Sequence, residues 1–427
     1  MPNKKKTTTK KGEKIKKILK TFGPGIVTGA SDDDPSGIAT YSQAGAQFGF
    51  ATLWTALITF PLMAAIQEMC ARIGLVTSQG LTGTLRNHYP KFFVWLMIIF
   101  SFPAIVLNIG ADIAGMGAVA NLIFPGVSSI FFSVGFTGLL MICIVYLPYR
   151  KISSILKYLC LFLLLYLVVP FLAKANVLTI LKHTIVPTIK PTKEFFSILV
   201  AILGTTISPY LFFWQATMEV EEVKQKKSSI VVNRKVLDDV KKDVDFGMLF
   251  SNLVMYFIIL TSATVLFNNG IHSINTVEQA AQALKPLAGN AAYLLFAIGV
   301  IGTGMLAIPV LSGSLSYIIS ESFGWKLGLD KRFHEARSFY VVIIVSLLLG
   351  LLMNYFGFNP MQALIYTAIL YGITAPVMIA IILHIANNKK IMKKFVNSKK
   401  SNILGFITLL LMSVSAIFLI YLHFAGN

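Results

Sequence analysis

Long apolar stretches separated by polar segments dominate the 427-residue sequence. About 20 predominantly apolar residues span a bilayer as a helix, and eleven stretches reach that length. The pattern predicts an all-α integral membrane protein whose single transmembrane domain covers residues 22–424. The predicted spans are 22–48, 51–75, 92–123, 127–148, 152–173, 194–221, 245–268, 290–322, 337–356, 360–387 and 403–424.

The basic residues are distributed unevenly among the loops. Of 37 Lys and Arg residues, 32 lie in the N-terminal stretch or in loops after even-numbered spans, and five lie in the other loops. Because cytoplasmic loops carry the excess of Lys and Arg, we expect a multi-pass protein of the cell membrane with a cytoplasmic N-terminus and an extracytoplasmic C-terminus. Residues 1–21 are predicted to form a disordered basic cytoplasmic tail. The net charge of +19 then reflects topology rather than a nucleic-acid partner.

Helix breakers interrupt the first and the sixth span at corresponding positions. The first break covers positions 32–37, with three aspartates before a proline, and the second covers positions 204–209, with Ser208 before Pro209. Paired interruptions of this kind are typical of inverted-repeat transporters that bind their substrate near the bilayer midplane. We therefore predict one repeat over 22–173, a second over 194–387, and an additional helix over 403–424.

The two breaks carry groups suited to binding a hard cation. A carboxylate in mid-span is costly unless it faces a cavity, an ion or a partner, which singles out Asp34. Proline frees backbone carbonyls at both breaks, and hydroxyl and amide side chains lie nearby. Oxygen ligands of this kind favour Mg²⁺, Ca²⁺ or Mn²⁺ over softer metals. The hydroxyl and amide candidates are Ser36, Thr205, Ser208 and Gln215.

Several motifs resemble those of the NRAMP family of divalent-metal transporters. Asp34 to Gly37 reads Asp-Pro-Ser-Gly where the family has Asp-Pro-Gly-Asn, and positions 23–25, 43–46 and 67–77 also fit family patterns. The resemblance implies a LeuT-type inverted-repeat fold, with an eleventh helix outside the repeat. It also implies that Asp34 is the principal metal ligand.

Departures from the family motifs point to one branch of the family. Gly37 stands in place of asparagine, Ser208 in place of methionine, and Tyr210 and Gln215 in place of two histidines. The aspartate of the third span is present as Asp112, but the glutamate that typically follows it in the family is missing. This combination resembles the NRAMP-related magnesium transporters. That likeness implies Mg²⁺ or Mn²⁺ carried as hydrated ions, with weak or no proton coupling.

The predicted metal site therefore consists of Asp34, Gly37, Thr205 and Ser208. We expect divalent cations and the lipid bilayer as partners and a transported metal rather than a cofactor. With 13% charged residues and no nucleophile motif, the chain is not expected to be an enzyme. A monomer is compatible with the sequence, which leaves the oligomeric state open. Residues expected around the site or along the ion pathway are Asp33, Ser36, Asp112, Tyr210, Gln215 and Glu219.

Three other functions remain open at this point. A proton-coupled Mn²⁺ or Fe²⁺ importer like the ordinary family members would acidify the compartment that receives the metal. A cation channel would give single-channel currents rather than saturable transport. A carrier of the same fold for organic solutes would have to place an anionic group beside three aspartates.

Overall fold

The computed structural model of the protein describes residues 24–149, 151, 161–172, 176–225 and 232–425. The predicted basic tail at 1–21 lies outside the described residues, as does much of the predicted fifth span. Every regular element within the described ranges is a helix. The longer helices, in chain order, are α1 Pro24–Asp32, α2 Pro35–Phe48, α3 Trp54–Thr77, α4 Leu81–His88, α5 Lys91–Ile123, α6 Ser129–Tyr146, α7 Val177–Ile185, α8 Lys193–Thr206, α9 Pro209–Gln225, α10 Arg234–Val265, α11 Ala292–Phe323, α12 Arg337–Met353, α13 Pro360–Asn387 and α14 Lys399–Ala425.

Shorter helical turns connect these elements. Four helices of four or five residues are Val169–Leu172, Val277–Ala281, Lys285–Ala288 and Lys389–Met392. The described 3₁₀ turns are Gly49–Thr52, Leu161–Leu167, Phe267–Asn269, Gln282–Leu284, Gly289–Ala291, Asn354–Phe356 and Lys393–Phe395.

Nine helical stretches in the described part of the chain are long and apolar enough to cross a membrane. They correspond to the predicted spans other than the first and the fifth. The first span is divided into α1 and α2, which have 9 and 14 residues. Of the fifth span, predicted over 152–173, the structure describes only 161–172. The sixth consists of α8 followed directly by α9.

Two helical regions differ from the pattern of apolar spans. Helix α10 begins at Arg234, well before the predicted span 245–268, because Asn233 caps its first turn and Lys241 pairs with Asp245 at 2.9 Å. Helix α7 lies in the segment between the fifth and sixth spans and is too short to register as a span. Its first backbone amides are capped by the Asn176 side chain.

Close backbone contacts fix both interrupted spans against neighbouring helices. A Cβ atom added to Gly29 in α1 would lie 2.1 Å from the carbonyl oxygen of Gly247 in α10. A Cβ atom on Gly204 in α8 would lie 2.1 Å from the carbonyl oxygen of Ala368 in α13. Only glycine fits at such distances. Helices α1 and α2 therefore pack directly on α10, while α8 packs directly on α13.

Candidate metal site

Asp34 occupies the first break and caps the helix that follows it. Helix α1 ends at Asp32, and α2 begins at Pro35, where the missing amide proton costs no helical hydrogen bond. The Asp34 Oδ1 atom accepts a hydrogen bond of 2.7 Å from the backbone amide of Gly37, the usual geometry of an aspartate N-cap. The side chain is 2% exposed. Local sequence thus places a buried carboxylate at a helix N-terminus.

Two other helices hold the second oxygen of Asp34. Asn108 in α5 donates from Nδ2 to Asp34 Oδ2 over 2.9 Å. The Oδ1 atom of Asn108 in turn accepts from Thr367 Oγ1 in α13, also over 2.9 Å. Both oxygens of the carboxylate therefore accept a hydrogen bond. Because an ionised carboxylate has about four acceptor positions, the remaining lone pairs are available to a cation.

The two preceding aspartates turn towards α10. Ser251 Oγ lies 2.6 Å from Asp32 Oδ2 and 3.3 Å from Asp33 Oδ1. Asp32 Oδ1 and Asp33 Oδ2 have no hydrogen-bond partner among the described residues, and both side chains are fully buried. Burial of carboxylates is costly unless hydrogen bonds or positive charge compensate them. This end of the first break is consequently strongly electronegative.

The second break is a two-residue interruption whose own polar groups, the Ile207 amide and the Ser208 hydroxyl, bond to the preceding helix. Helix α8 ends at Thr206 and α9 begins at Pro209, with Ile207 and Ser208 between them. The Ile207 amide donates to the Leu203 carbonyl at 2.9 Å, and the Ser208 hydroxyl donates to the Thr205 carbonyl at 2.6 Å. The Ser208 hydroxyl is thus turned back onto the preceding helix, α8.

Gly37 and Thr205 bring the two breaks together. A Cβ atom added to Gly37 would lie 3.2 Å from Thr205 Oγ1 and 3.3 Å from Cε2 of Tyr41. These are tight contacts, and a longer side chain at position 37 would project into the space between the breaks. The absence of a side chain at Gly37 therefore lets the two breaks approach each other closely beside Asp34.

Three predicted pathway residues lie on the α9 side of this space. The Tyr210 hydroxyl donates to the Ser31 carbonyl at 3.0 Å. Gln215 accepts from the Thr28 hydroxyl through Oε1 at 2.5 Å and donates through Nε2 to Glu219 Oε1 at 2.8 Å. All three side chains are buried at the interface of α1 and α9. They form a polar seam between these helices.

Two further predicted residues, Ser36 and Asp112, lie on the side of the first break that faces α5 and α13. The Ser36 hydroxyl donates to the Leu364 carbonyl in α13 at 2.7 Å. Asp112 in α5 is fully buried, and neither of its carboxylate oxygens has a hydrogen-bond partner in the part of the chain that the structure describes. Asp112 is thus a buried carboxylate one helical turn beyond Asn108.

The sequence interpretation missed Asn108, Thr367 and Ser251, although these residues hold the three aspartates. Their only sequence signal is a polar side chain within an apolar span. The described residues contain no group of three or more His, Cys, Asp and Glu side chains able to hold a metal ion together. A cation bound at Asp34 would therefore need other oxygens, from the backbone, hydroxyl groups or water.

The sequence as a whole matches one protein family. Residues 25–422 match the family described as natural resistance-associated macrophage protein-like, or Nramp. The chain belongs to the Nramp family. The predicted family resemblance is thereby confirmed.

Two curated relatives illustrate the similarity of sequence. The chain is 24% identical over 422 residues to the divalent metal cation transporter MntH of Caldanaerobacter subterraneus subsp. tengcongensis, covering 97% of this chain and 96% of that protein. It is also 24% identical to MntH of Yersinia enterocolitica, covering 95% of both chains. These proteins are transporters by name, in agreement with the expectation that the Nramp chain is not an enzyme.

Solved structures show the same fold. The crystal structure of an Eremococcus coleocola manganese transporter superposes with a TM-score of 0.77 at 16% identity, covering 100% of this chain and 90% of that chain. The nucleobase-cation-symport-1 family transporter Mhp1 gives a TM-score of 0.53 at 13% identity, covering 93% and 92%. The predicted all-α LeuT-type fold is confirmed by these similarities.

Proposed function

We propose that this Nramp protein is a secondary transporter that takes up divalent metal cations, with Mg²⁺ and Mn²⁺ as substrates bound between the two breaks. The observation that carries this proposal is the buried Asp34 carboxylate, which is held by Gly37 and Asn108 in a break that lies against Thr205 through Gly37. The names of the curated relatives support transport of divalent metals. The metal is cargo, and no resident cofactor is proposed.

The proposed metal preference follows from the ligand types at the two breaks and from the small residues at positions 37 and 208. Gly37 has no side chain, and Ser208 offers a hydroxyl where the family resemblance leads one to expect a thioether. Mg²⁺ dehydrates reluctantly and usually keeps several waters, so it is suited to a site that offers one carboxylate and few other direct ligands. Mn²⁺ accepts the same oxygen ligands. Soft metals gain no ligand of their own at either break.

Alternating access about a midplane site is the proposed mechanism. Helices α1 and α10 meet through glycine backbones at Gly29 and Gly247, so these two helices are expected to move together. Asp34, by contrast, contacts α5 through Asn108. Relative movement of these two groups of helices would open the space at Asp34 to one side of the membrane and then to the other.

Weak or absent proton coupling is proposed because two positions that could carry protons hold neutral groups engaged in hydrogen bonds. Tyr210 donates to the Ser31 carbonyl, and Gln215 bridges Thr28 and Glu219. Asp112 is the observation that favours the alternative, a proton-coupled Mn²⁺ or Fe²⁺ importer, because it is a buried carboxylate without a partner among the described residues. The two functions differ in whether protons accompany the metal.

Purified protein in liposomes, with simultaneous readouts of metal and pH, tests this proposal. We expect saturable Mg²⁺ and Mn²⁺ uptake without acidification of the liposome lumen. Metal uptake with matching acidification would establish the proton-coupled importer instead. Strong Cd²⁺ or Fe²⁺ uptake without Mg²⁺ uptake would contradict the metal assignment, and single-channel currents in planar bilayers would indicate a channel.

A further inference from the structure

We propose that Asn108 is a positioning residue for the metal-binding carboxylate and that Thr367 holds the Asn108 amide in place. This inference rests on the proposed function, since it assumes that Asp34 binds the transported cation. It assigns a role to two side chains, one in α5 and one in α13, that lie outside both breaks.

The hydrogen bonds form a chain with a defined direction. The Thr367 hydroxyl has one proton and lies 2.9 Å from Asn108 Oδ1 and 2.8 Å from the Leu364 carbonyl oxygen. That carbonyl already accepts from Ser36 at 2.7 Å. With Thr367 donating to Asn108, the amide oxygen is satisfied and the amide nitrogen faces Asp34.

The orientation matters because the two ends of a carboxamide have opposite chemistry. The NH₂ group of an asparagine donates two hydrogen bonds, whereas its oxygen only accepts. An inverted amide would place the Asn108 oxygen against Asp34 Oδ2, where two acceptors would repel each other. The Asp34 carboxylate therefore selects the orientation in which the NH₂ group faces it. The Thr367 hydroxyl, which can donate as well as accept, satisfies the amide oxygen in that orientation.

Burial makes these contacts effective. Asn108 is fully buried, Asp34 is 2% exposed and Thr367 is 5% exposed, so solvent offers little competition for the hydrogen bonds. A hydrogen bond to an ionised group is about twice as strong as one between neutral groups. The amide of Gly37 holds Oδ1 while Asn108 holds Oδ2, and the carboxylate plane is thereby fixed. Only the lone pairs left over can meet a cation or its water.

The chain also connects the carboxylate to α13. Thr367 Oγ1 lies 3.2 Å from the Ser36 hydroxyl, directly after Pro35 in the first break. Helix α13 thus contacts the break twice, through Ser36 and through the pair of Asn108 and Thr367. Because groups that hydrogen-bond to a metal ligand typically change metal affinity about 10-fold to 100-fold when removed, we expect Asn108 to influence cation affinity strongly.

Transport kinetics in liposomes, measured for Mg²⁺ and Mn²⁺, test the assignment. For Asn108→Leu we expect KM to rise by about 10-fold or more while the maximal rate changes by less than about twofold. For Thr367→Val, which removes one neutral hydrogen bond, we expect KM to rise roughly threefold to tenfold. Thr367→Ser keeps the hydroxyl and should retain the original KM.

A double-variant cycle separates positioning from general disturbance of the fold. Since Thr367 is proposed to act through Asn108, Thr367→Val should add nothing to the KM of Asn108→Leu. Thr374→Val in the same helix is the matched control. Among the described residues its hydroxyl bonds to carbonyls within α13, Leu370 at 2.9 Å and Tyr371 at 3.3 Å, and KM should remain unchanged.

The inference would be overturned by an unchanged KM in both single variants or by additive effects in the double variant. If Asn108→Leu does not fold, the comparison of Thr367→Val with Thr367→Ser decides the matter, since equal KM values would refute the role of the hydroxyl. Absence of metal uptake by the unmodified protein would instead refute the proposed function. Metal uptake by Asp34→Ala would remove Asp34 as the group that Asn108 positions.

Discussion

The two breaks occupy corresponding places in their spans but differ in how their polar groups are used. At the first break, the side chains of Asp32, Asp33 and Asp34 form hydrogen bonds to other helices, α10 and α5. At the second, the Ser208 hydroxyl bonds to the Thr205 carbonyl within its own segment. The first break is joined to its surroundings by aspartate side chains, whereas the serine of the second break bonds within its own segment.

This difference suggests a division of labour. Charge and affinity for a cation would come from the first break, because all of its side-chain carboxylates are buried and only partly compensated. The second break would contribute shape, since the Thr205 hydroxyl and the α9 helix that follows it border the space beside Gly37. Variants at the first break are therefore expected to abolish transport, while variants at the second should modify it.

The largest effect is expected for Asp34→Ala. Loss of the metal-binding carboxylate should reduce Mg²⁺ and Mn²⁺ uptake into liposomes by about 100-fold or more, beyond the usual effect of removing a group that merely supports a ligand. Asp245→Ala is a suitable control because that carboxylate pairs with exposed Lys241 on α10, away from the breaks. Intact Mg²⁺ uptake by Asp34→Ala would contradict the claim that the first break supplies the metal ligand.

An intermediate effect, on selectivity rather than activity, is expected for Gly37→Asn combined with Ser208→Met. The added side chains would fill the space between the breaks and introduce a soft thioether ligand. We expect the ratio of Mg²⁺ to Cd²⁺ uptake, measured in parallel assays, to fall roughly tenfold, equivalent to about 1.4 kcal/mol. Gly37→Ala adds bulk without a ligand and separates the two causes. An unchanged ratio would contradict the idea that room and oxygen ligands set the preference.

The smallest effect is expected for Ser208→Ala. Because its hydroxyl bonds to a carbonyl of the preceding helix, its removal should change KM for Mg²⁺ by less than about twofold to threefold. Thr205→Val, which alters the hydroxyl nearest to Gly37, should have the larger effect of the two. If Ser208→Ala raised KM as strongly as Asn108→Leu, Ser208 would be a ligand, as its place in the sequence suggests.

The sequence predicted the helical architecture well because spans and breaks are local properties. Apolar length defines a transmembrane helix, and proline and glycine mark where it is interrupted, so both breaks could be located from residues 32–37 and 204–209. The residue at which α10 begins was harder to predict from the sequence. Its charged first turns resemble a polar loop, and only the Asn233 cap and the Lys241–Asp245 pair indicate a helix there.

The surroundings of Asp34 could not be predicted in the same way. Asn108 is 74 residues from Asp34 along the chain, and Thr367 is 259 residues from Asn108, so nothing local connects them. The direction of a hydroxyl is equally inaccessible, as Ser208 shows. A serine before a proline predicts a hydroxyl at the break, but rotation about its Cα–Cβ bond decides which acceptor that hydroxyl reaches, here a carbonyl of the preceding helix.

The neighbouring residues Asp33 and Asp34 are held by different helices, and this has a mechanical consequence. Asp33 is bonded to Ser251 in α10, whereas Asp34 is bonded to Asn108 in α5. Because α2 as well as α1 packs on α10, a displacement of α10 relative to α5 would act on the hydrogen bond between Asn108 and Asp34 Oδ2. The length of that bond would therefore report the relative position of the two helices directly at the carboxylate.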